Sequence, residues 1–402
     1  MWTGREDIEM ENFTFYTPTY FAFGDGEEKK TGALVRRFGG SRVLVVTGGG
    51  SVHRSGLYDT VAASLAAEGL FFTELSGVQP NPRSGKVYEG IETVRREKLD
   101  FILALGGGSV IDTAKAIAFG AVYAGDFWDI FTRAADMPAQ PLPIGTVLTL
   151  AAAGSEGSGN CVITHEVGNL KWGAPKSDSL RPRFSVMDPR LTCTLPPYQT
   201  ACGAVDMLAH ICERYFTTTA DVGLTDRLCE ALMKTILEAA PKALENPNDY
   251  AARADLMWAG MLAHNDSCGV GRRQDWASHQ IEHELSAFYD CAHGAGLAVV
   301  MPAWMRYVMK ENPARFARFA VEVFGCEMDP MDVEKTAREG IRRLKSFFRL
   351  LGMPTTLKEL GGRVEDIPEM VLHRAEKGFP FGGFAAIGPA EMADILCLCA
   401  EP

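Results

Sequence analysis

The sequence predicts two domains in series, an α/β half built on a parallel sheet followed by an all-helical half. Three observations carry this. Two short apolar runs, RVLVVT (42–47) and DFILAL (100–105), each stop at a glycine-rich turn, Gly48-Gly49-Gly50-Ser51 and Gly106-Gly107-Gly108-Ser109, and each turn leads into a helical pattern. The Pro196-Pro197 pair then punctuates the chain sharply. Beyond it the apolar residues recur with helical spacing and strand-like runs become few. A chain of 402 residues is longer than one hydrophobic core usually serves, which agrees with domains over 1–197 and 198–402.

Taken in order, the first ten residues read as an arm, and FTFYTPTYFAF (13–23) as a strand or hairpin ending at Gly24-Asp25-Gly26. RVLVVT is a strand, SGLYDTVAASLAAEG (55–69) a helix, FFTELSGV (71–78) a strand, 86–97 a helix, and DFILAL a strand again. Strand, glycine turn and helix together aim backbone N–H groups and a helix N-terminus at phosphate. Two such turns about 60 residues apart, separated by a β-α unit, point to a dinucleotide across the carboxyl edge of a Rossmann-like sheet. The spacing is not GxGxxG, so that fingerprint does not apply. In GGGSVID the glycines admit a pyrophosphate, while Asp112 suits a ribose hydroxyl or the amides of its own helix. PLPIGTVLTLAAAGSEGSGNCVIT (141–164) supplies a strand, a small-residue turn where a nicotinamide ring could lie, and a second strand. FSVMDPRLTCTLPP closes the half. Helices are then expected at 198–216, 222–240, 249–264, 276–288, 294–309, 330–350 and 389–400.

Composition narrows the function classes. With 47% hydrophobic and 23% charged residues the chain is ordinary for a globular protein. A net charge of -11 argues against nucleic acid and anionic membrane surfaces and favours small molecules. Glycines, Asp112 and Lys115 interrupt the most apolar stretch, 101–124, and the acidic N-terminus lacks the pattern of a secretory signal, so a cytoplasmic protein is expected. The ten cysteines form no CxxC pair and are expected to be reduced, mostly as buried small hydrophobes.

The chemistry concentrates at 275–294, DWASHQIEHELSAFYDCAHG, which holds three of the eight histidines. His279 and His283 share one face of a helix, and His293 follows before Gly294. Upstream, Asp206 and His210 repeat the same spacing in GAVDMLAHICERY. Four of eight histidines, with an aspartate in register, make a divalent-metal site a better explanation than hydrogen-bonded core histidines, and such a donor set suits Zn²⁺ or Fe²⁺. Spacing leaves open which of His279 and His283 ligates.

GGGSVID after a strand, AGSE near 155, DPRLTCTLPP, DMLAH and HQIEH with a later HG together resemble the iron-containing, metal-dependent alcohol dehydrogenase family, most closely its butanol dehydrogenase-like aldehyde reductases. The resemblance covers nearly the whole chain and implies a dehydroquinate synthase-like architecture and a homodimer. It implies Asp206, His210, His279 and His293 as metal ligands, with His283 beside the site as the candidate for proton delivery. The implied cofactor contacts are Gly48, Gly49, Ser51, Asn81, Gly106, Gly107, Gly108, Ser109, Asp112, Thr149, Leu150, Ser155, Val162, Lys171 and Thr194. Ala153 and Leu191 depart from relatives that carry Thr and Tyr. NAD-using relatives tend to place an Asp after the first strand. Here Gly48 stands there, with Ser51, His53 and Arg54 close behind, which favours NADP(H). The expected reaction is hydride transfer between NADP(H) and a small primary alcohol or aldehyde. The alternatives are a dehydroquinate synthase-like enzyme acting on an anionic substrate, which would need cations such as Arg272 and Arg273, and a non-catalytic NADP-binding protein with a structural metal.

Overall fold

A computed structural model of the chain describes residues 9–401. The expected N-terminal arm therefore lies largely outside the described residues. The rest forms two compact units. One comprises Tyr16–Leu195 and Pro247–Met261; the other begins at Pro196, omits that second segment and also takes the described residues before Tyr16.

The first unit is an α/β layer structure. Its six-stranded sheet has the order β1-β8-β5-β4-β2-β3, with strands Tyr20–Phe23 (β1), Arg42–Thr47 (β2), Phe71–Leu75 (β3), Phe101–Gly106 (β4), Ile144–Leu148 (β5) and Phe184–Met187 (β8). Every pairing is parallel. Helices α1 (Thr31–Arg37), α2 (Ser51–Arg54), α3 (Leu57–Ala67), α4 (Ser84–Glu97), α5 (Gly108–Val122) and α6 (Trp128–Phe131) connect the strands. Parallel strands covered on both faces need continuous apolar runs, and β4, β5 and β8 are buried at every position. The edge strands β1 and β3 are partly exposed. Strands β6 (Val162–His165) and β7 (Leu170–Gly173) make a separate antiparallel hairpin.

Two expectations change here. Of the two forms expected for the 13–23 run, the strand is the one found, shortened to its last four residues and paired in parallel with β8. Pro18, lacking a backbone donor, stands just before that ladder begins. The segment Pro247–Met261, expected in the helical half, belongs to the α/β unit. Trp258 explains why, since its ring meets those of Phe21 and Phe23 edge-on at 5.8 and 5.6 Å.

The second unit is helical. It contains α7 (Pro197–Tyr215), α8 (Gly223–Glu245), the last turn of α9 (Tyr250–His264), α10 (Ala277–Tyr289), α11 (His293–Val308), α12 (Pro313–Phe324), α13 (Val333–Leu350), α14 (Leu357–Leu360), α15 (Ile367–Ala375) and α16 (Pro389–Leu398). Helix α7 runs through its middle, starting on a proline at its first position and buried at nearly every residue from Thr200 to Tyr215. Helices α12, α14 and α15 add to the expected set, although Asn312 caps α12 ahead of Pro313, a start signal present in the sequence. No helix among the described residues is long and apolar enough to cross a membrane.

Candidate metal centre and cofactor cradle

In the helical unit, α7 supplies Asp206 and His210, α10 supplies His279 and His283, and His293 is the first residue of α11. The α11 N-terminus can approach α7 because residue 294 is glycine: a Cβ there would stand 2.1 Å from the Cys202 carbonyl oxygen. The result is a cluster of Asp206, His279 and His293, whose donor atoms all lie within 4.8 Å of one another. Asp206 Oδ1 is 3.9 Å from His279 Nε2 and 3.8 Å from His293 Nε2. Two bonds of about 2.1 Å meeting at a tetrahedral angle would put such atoms roughly 3.4 Å apart. Both separations from Asp206 are a few tenths of an ångström longer than that.

Two of these donor atoms are left over. Asp206 Oδ1 and His279 Nε2 are buried without a hydrogen-bond partner, a costly condition in a protein interior unless something else engages them. His210 stands beside the cluster and is not one of its three members. Its Nδ1 donates to the Asp206 carbonyl oxygen at 2.9 Å and lies 3.1 Å from Oδ1. His283 is one turn beyond His279, its ring centroid 5.9 Å from that of His293.

Charge is sharply divided within this small volume. Burial pushes the His210 imidazole down to about 4. Burial also opposes a charged His279, yet the carboxylates of Asp206 and Glu213 raise it to about 9. Burial would raise Asp206 as well, but the surrounding imidazoles hold it well below the ordinary carboxylate range. Asp206 and His210 thus stand in the forms a divalent transition metal binds, an anionic oxygen and a neutral imidazole, while His279 would give up a proton on ligation.

Several neighbours escape a reading of the sequence alone. Glu213 accepts from His279 Nδ1 at 2.8 Å and Glu282 accepts from His293 Nδ1. Their spacing, seven after Asp206 and three after His279, is a readable signal. His264 gives none. Its ring lies 4.2 Å from that of His210, and its Nδ1 is 2.9 Å from Arg214, whose guanidinium stacks on Trp276 at 4.6 Å.

In the α/β unit, the carboxyl ends of β2, β4 and β5 lie side by side, with Thr47 opposite Leu105 and Gly106 opposite Leu148. Gly48 and Gly49 follow β2, and Gly50, at φ 95°, takes a left-handed turn that starts α2 at Ser51. Arg54 folds back over this turn, its Nη1 3.4 Å from where a Gly50 Cβ would be. His53 points elsewhere: its Nε2 is 2.8 Å from Glu74, which also accepts from Thr47. Gly107 and Gly108 open α5, Ser109 follows in its first turn, and the Thr149 amide donates to the Gly106 carbonyl. A Cβ on Gly107 would come within 3.1 Å of Leu150, and one on Gly108 within 3.4 Å of Ala153. Asn81 is buried at φ 52° in the loop after β3.

Asp112 draws its partners from another segment. One oxygen accepts from the Ser155 hydroxyl at 2.6 Å and the other from the Val162 amide at 2.9 Å. Lys171 sits across the hairpin from Thr164, and Thr194 lies beyond the turn Pro189–Thr192. Leu191 packs against the sheet core.

Comparison with known proteins agrees with both halves. Residues 18–189 match the family described as iron-containing alcohol dehydrogenase, and 200–398 match its C-terminal region. A probable NADH-dependent butanol dehydrogenase of Bacillus subtilis is 43% identical over 97% of this chain and 99% of its own length. The NADPH-dependent aldehyde reductase YqhD of Escherichia coli is 37% identical over 92% and 94%. The crystal structure of NADH-dependent butanol dehydrogenase A from Thermotoga maritima superposes with a TM-score of 0.95 at 42% identity, covering 98% of this chain and all of that one. With a matching sheet, helical unit and sequence over nearly its full length, the chain belongs to the iron-containing alcohol dehydrogenase family.

Proposed function

We propose that this protein is an NADP(H)-dependent aldehyde reductase and alcohol dehydrogenase acting on small, uncharged primary alcohols and aldehydes. The observation that carries the reading is the convergence of Asp206 Oδ1 and His279 Nε2, buried without hydrogen bonds, with His293 Nε2. Asp206, His210, His279 and His293 would hold Fe²⁺ or Zn²⁺; the His210 Nδ1–H is directed to a carbonyl, which leaves Nε2 as its ligating nitrogen. When bound, the metal supplies Lewis acidity toward the substrate oxygen and the nicotinamide supplies or accepts the hydride.

The residues of the chain do the rest. The Gly48–Ser51 and Gly106–Ser109 turns offer amides and helix N-termini to the cofactor phosphates. Thr149, Leu150, Ser155, Val162, Lys171, Thr194 and Asn81 would line its remaining contacts. His283, or a water it orients, delivers the proton, since imidazole titrates near neutral pH.

The choice of NADP(H) rests on Arg54. His53 is engaged by Glu74, so Arg54, folded over the Gly50 turn, is the cation that would meet a 2′-phosphate. Relatives named for NADH and for NADPH both occur, which makes the test decisive. Against an anionic substrate, Arg272 is committed elsewhere: it pairs with Asp226 at 2.9 Å and donates to two backbone carbonyls.

The test is NADPH oxidation with short aldehydes after the metal is stripped and Fe²⁺ or Zn²⁺ restored. Activity should return with metal, prefer NADPH and vanish in His279→Ala. Arg54→Ala should raise the KM for NADPH about tenfold, the worth of a lost charged hydrogen bond, with little change for NADH. Tight NADPH binding without turnover under either metal would sink the reading.

A further inference from the structure

Two fully buried carboxylates, Glu213 and Glu282, stand behind the proposed ligands without belonging to them. Glu213 lies on α7, two turns after Asp206. Its Oε1 accepts from the backbone N–H of His279 at 2.9 Å and from His279 Nδ1 at 2.8 Å, and its Oε2 accepts from the Trp276 N–H at 2.7 Å. One side chain thus caps the N-terminus of α10 and holds the imidazole three residues into it. Glu282 does the same for the other ring. It accepts from His293 Nδ1 and, at its second oxygen, from the Ser286 hydroxyl. Room for it comes from Gly296 on α11, where a Cβ would stand 2.7 Å from Glu282 Cγ.

Both carboxylates receive donors at both oxygens. A neutral imidazole that donates from Nδ1 presents its lone pair at Nε2, the form a metal ligand must take. The two Nε2 atoms are the ones that face Asp206 Oδ1. Ring orientation and tautomer therefore come from residues that never touch the ion.

We propose that Glu213 and Glu282 are positioning residues for the metal centre, each fixing the tautomer and ring plane of one histidine ligand. The inference rests on the metal-site reading above. It adds that the affinity and geometry of the site are set by these two carboxylates as well as by the ligands, and that the centre carries three carboxylates around one divalent ion. Such partners typically contribute about 10–100-fold to metal affinity.

The test compares wild type with Glu213→Gln and Glu282→Gln. Zn²⁺ affinity is measured by competition with a chromophoric chelator, ligand geometry by the visible bands of the Co²⁺-loaded protein, and integrity by melting and NADPH binding. Each variant should bind Zn²⁺ about 10–100-fold more weakly, with shifted Co²⁺ bands and normal NADPH binding. Should Glu213→Gln unfold through loss of its cap, Glu282→Gln, which leaves the α10 N-terminus alone, carries the comparison. Nitrogen NMR of labelled histidine in the wild type needs no variant: in the Zn²⁺-loaded protein Nδ1 of His279 and His293 should be protonated, with Nε2 the nitrogen shifted by the metal. Folded variants with wild-type affinity and wild-type Co²⁺ bands, or Zn²⁺-loaded rings unprotonated at Nδ1, overturn the proposal. A wild type that binds neither metal overturns the metal-site reading with it.

Discussion

Each unit buries a cluster of charged groups, and the two clusters are built on opposite principles. In the α/β unit, Lys115 is 0% exposed and its ammonium donates to the Ser155 carbonyl and hydroxyl and to the carbonyls of Ser158 and Asn160, all within 2.7–2.9 Å. Nothing of that cation is left over. In the helical unit, Asp206 and His279 are almost as deeply buried, yet each keeps a polar atom without a partner. A satisfied buried charge organises a loop, here the small-residue turn around Ser155. An unsatisfied one is held ready for a ligand.

The comparison is broken most easily at Lys115. Lys115→Met should strand four oxygens and lower the unfolding free energy by about 3–5 kcal/mol, the range for stripping one partner from a buried charged cluster. Denaturant unfolding measures this. Zn²⁺ affinity should stay at the wild-type value, and a loss of it would erase the distinction between the clusters.

Glu156, beside Lys115, sharpens the same contrast through pH. Burial raises its carboxyl from the ordinary 4.5 to about 7. The folded state therefore holds a proton that the unfolded state has released. Its stabilising contribution is complete below about 4.5 and is lost as pH rises through about 7, on the order of 3 kcal/mol in all. Unfolding free energies compared across that window should fall with pH in wild type and much less in Glu156→Gln.

The third test is metal itself. A divalent ion at about 100 times its dissociation constant should add about 2.7 kcal/mol to the unfolding free energy. Thermal melting with and without Zn²⁺ should show the gain in wild type and in Glu156→Gln, and its absence in His279→Ala. A gain that survives His279→Ala would place the metal elsewhere.

Much of this architecture is legible in the amino-acid sequence. The strands β2, β4 and β5 follow from apolar runs that only a doubly covered parallel sheet can bury, and the glycine turns that end the first two mark where the backbone must leave the sheet abruptly. The pairs 206/210 and 279/283 follow from helical spacing. Of the strand or hairpin expected at 13–23, a short strand forms at its end, and its partner was not readable because strand propensity says nothing about partners: β1 finds β8 more than 160 residues away. The partners of Asp112 escape for a related reason. Its local sequence suggests a capping or ribose contact, while the hydroxyl and amide that take its oxygens arrive from residues 155 and 162.

By itself the sequence determined the periodicities, the two glycine turns, the domain order and the type of donor at each proposed ligand position, because these depend on neighbours within a turn or a strand. Only the tertiary structure decided that His279 Nε2 and His293 Nε2, and not their Nδ1 atoms, face Asp206, that His53 turns to Glu74 while Arg54 covers the Gly50 turn, and that Lys115 belongs to the scaffold. Each of those outcomes is fixed by a hydrogen-bond partner or a close approach from a distant segment, and a partner brought in by packing leaves no mark on local spacing.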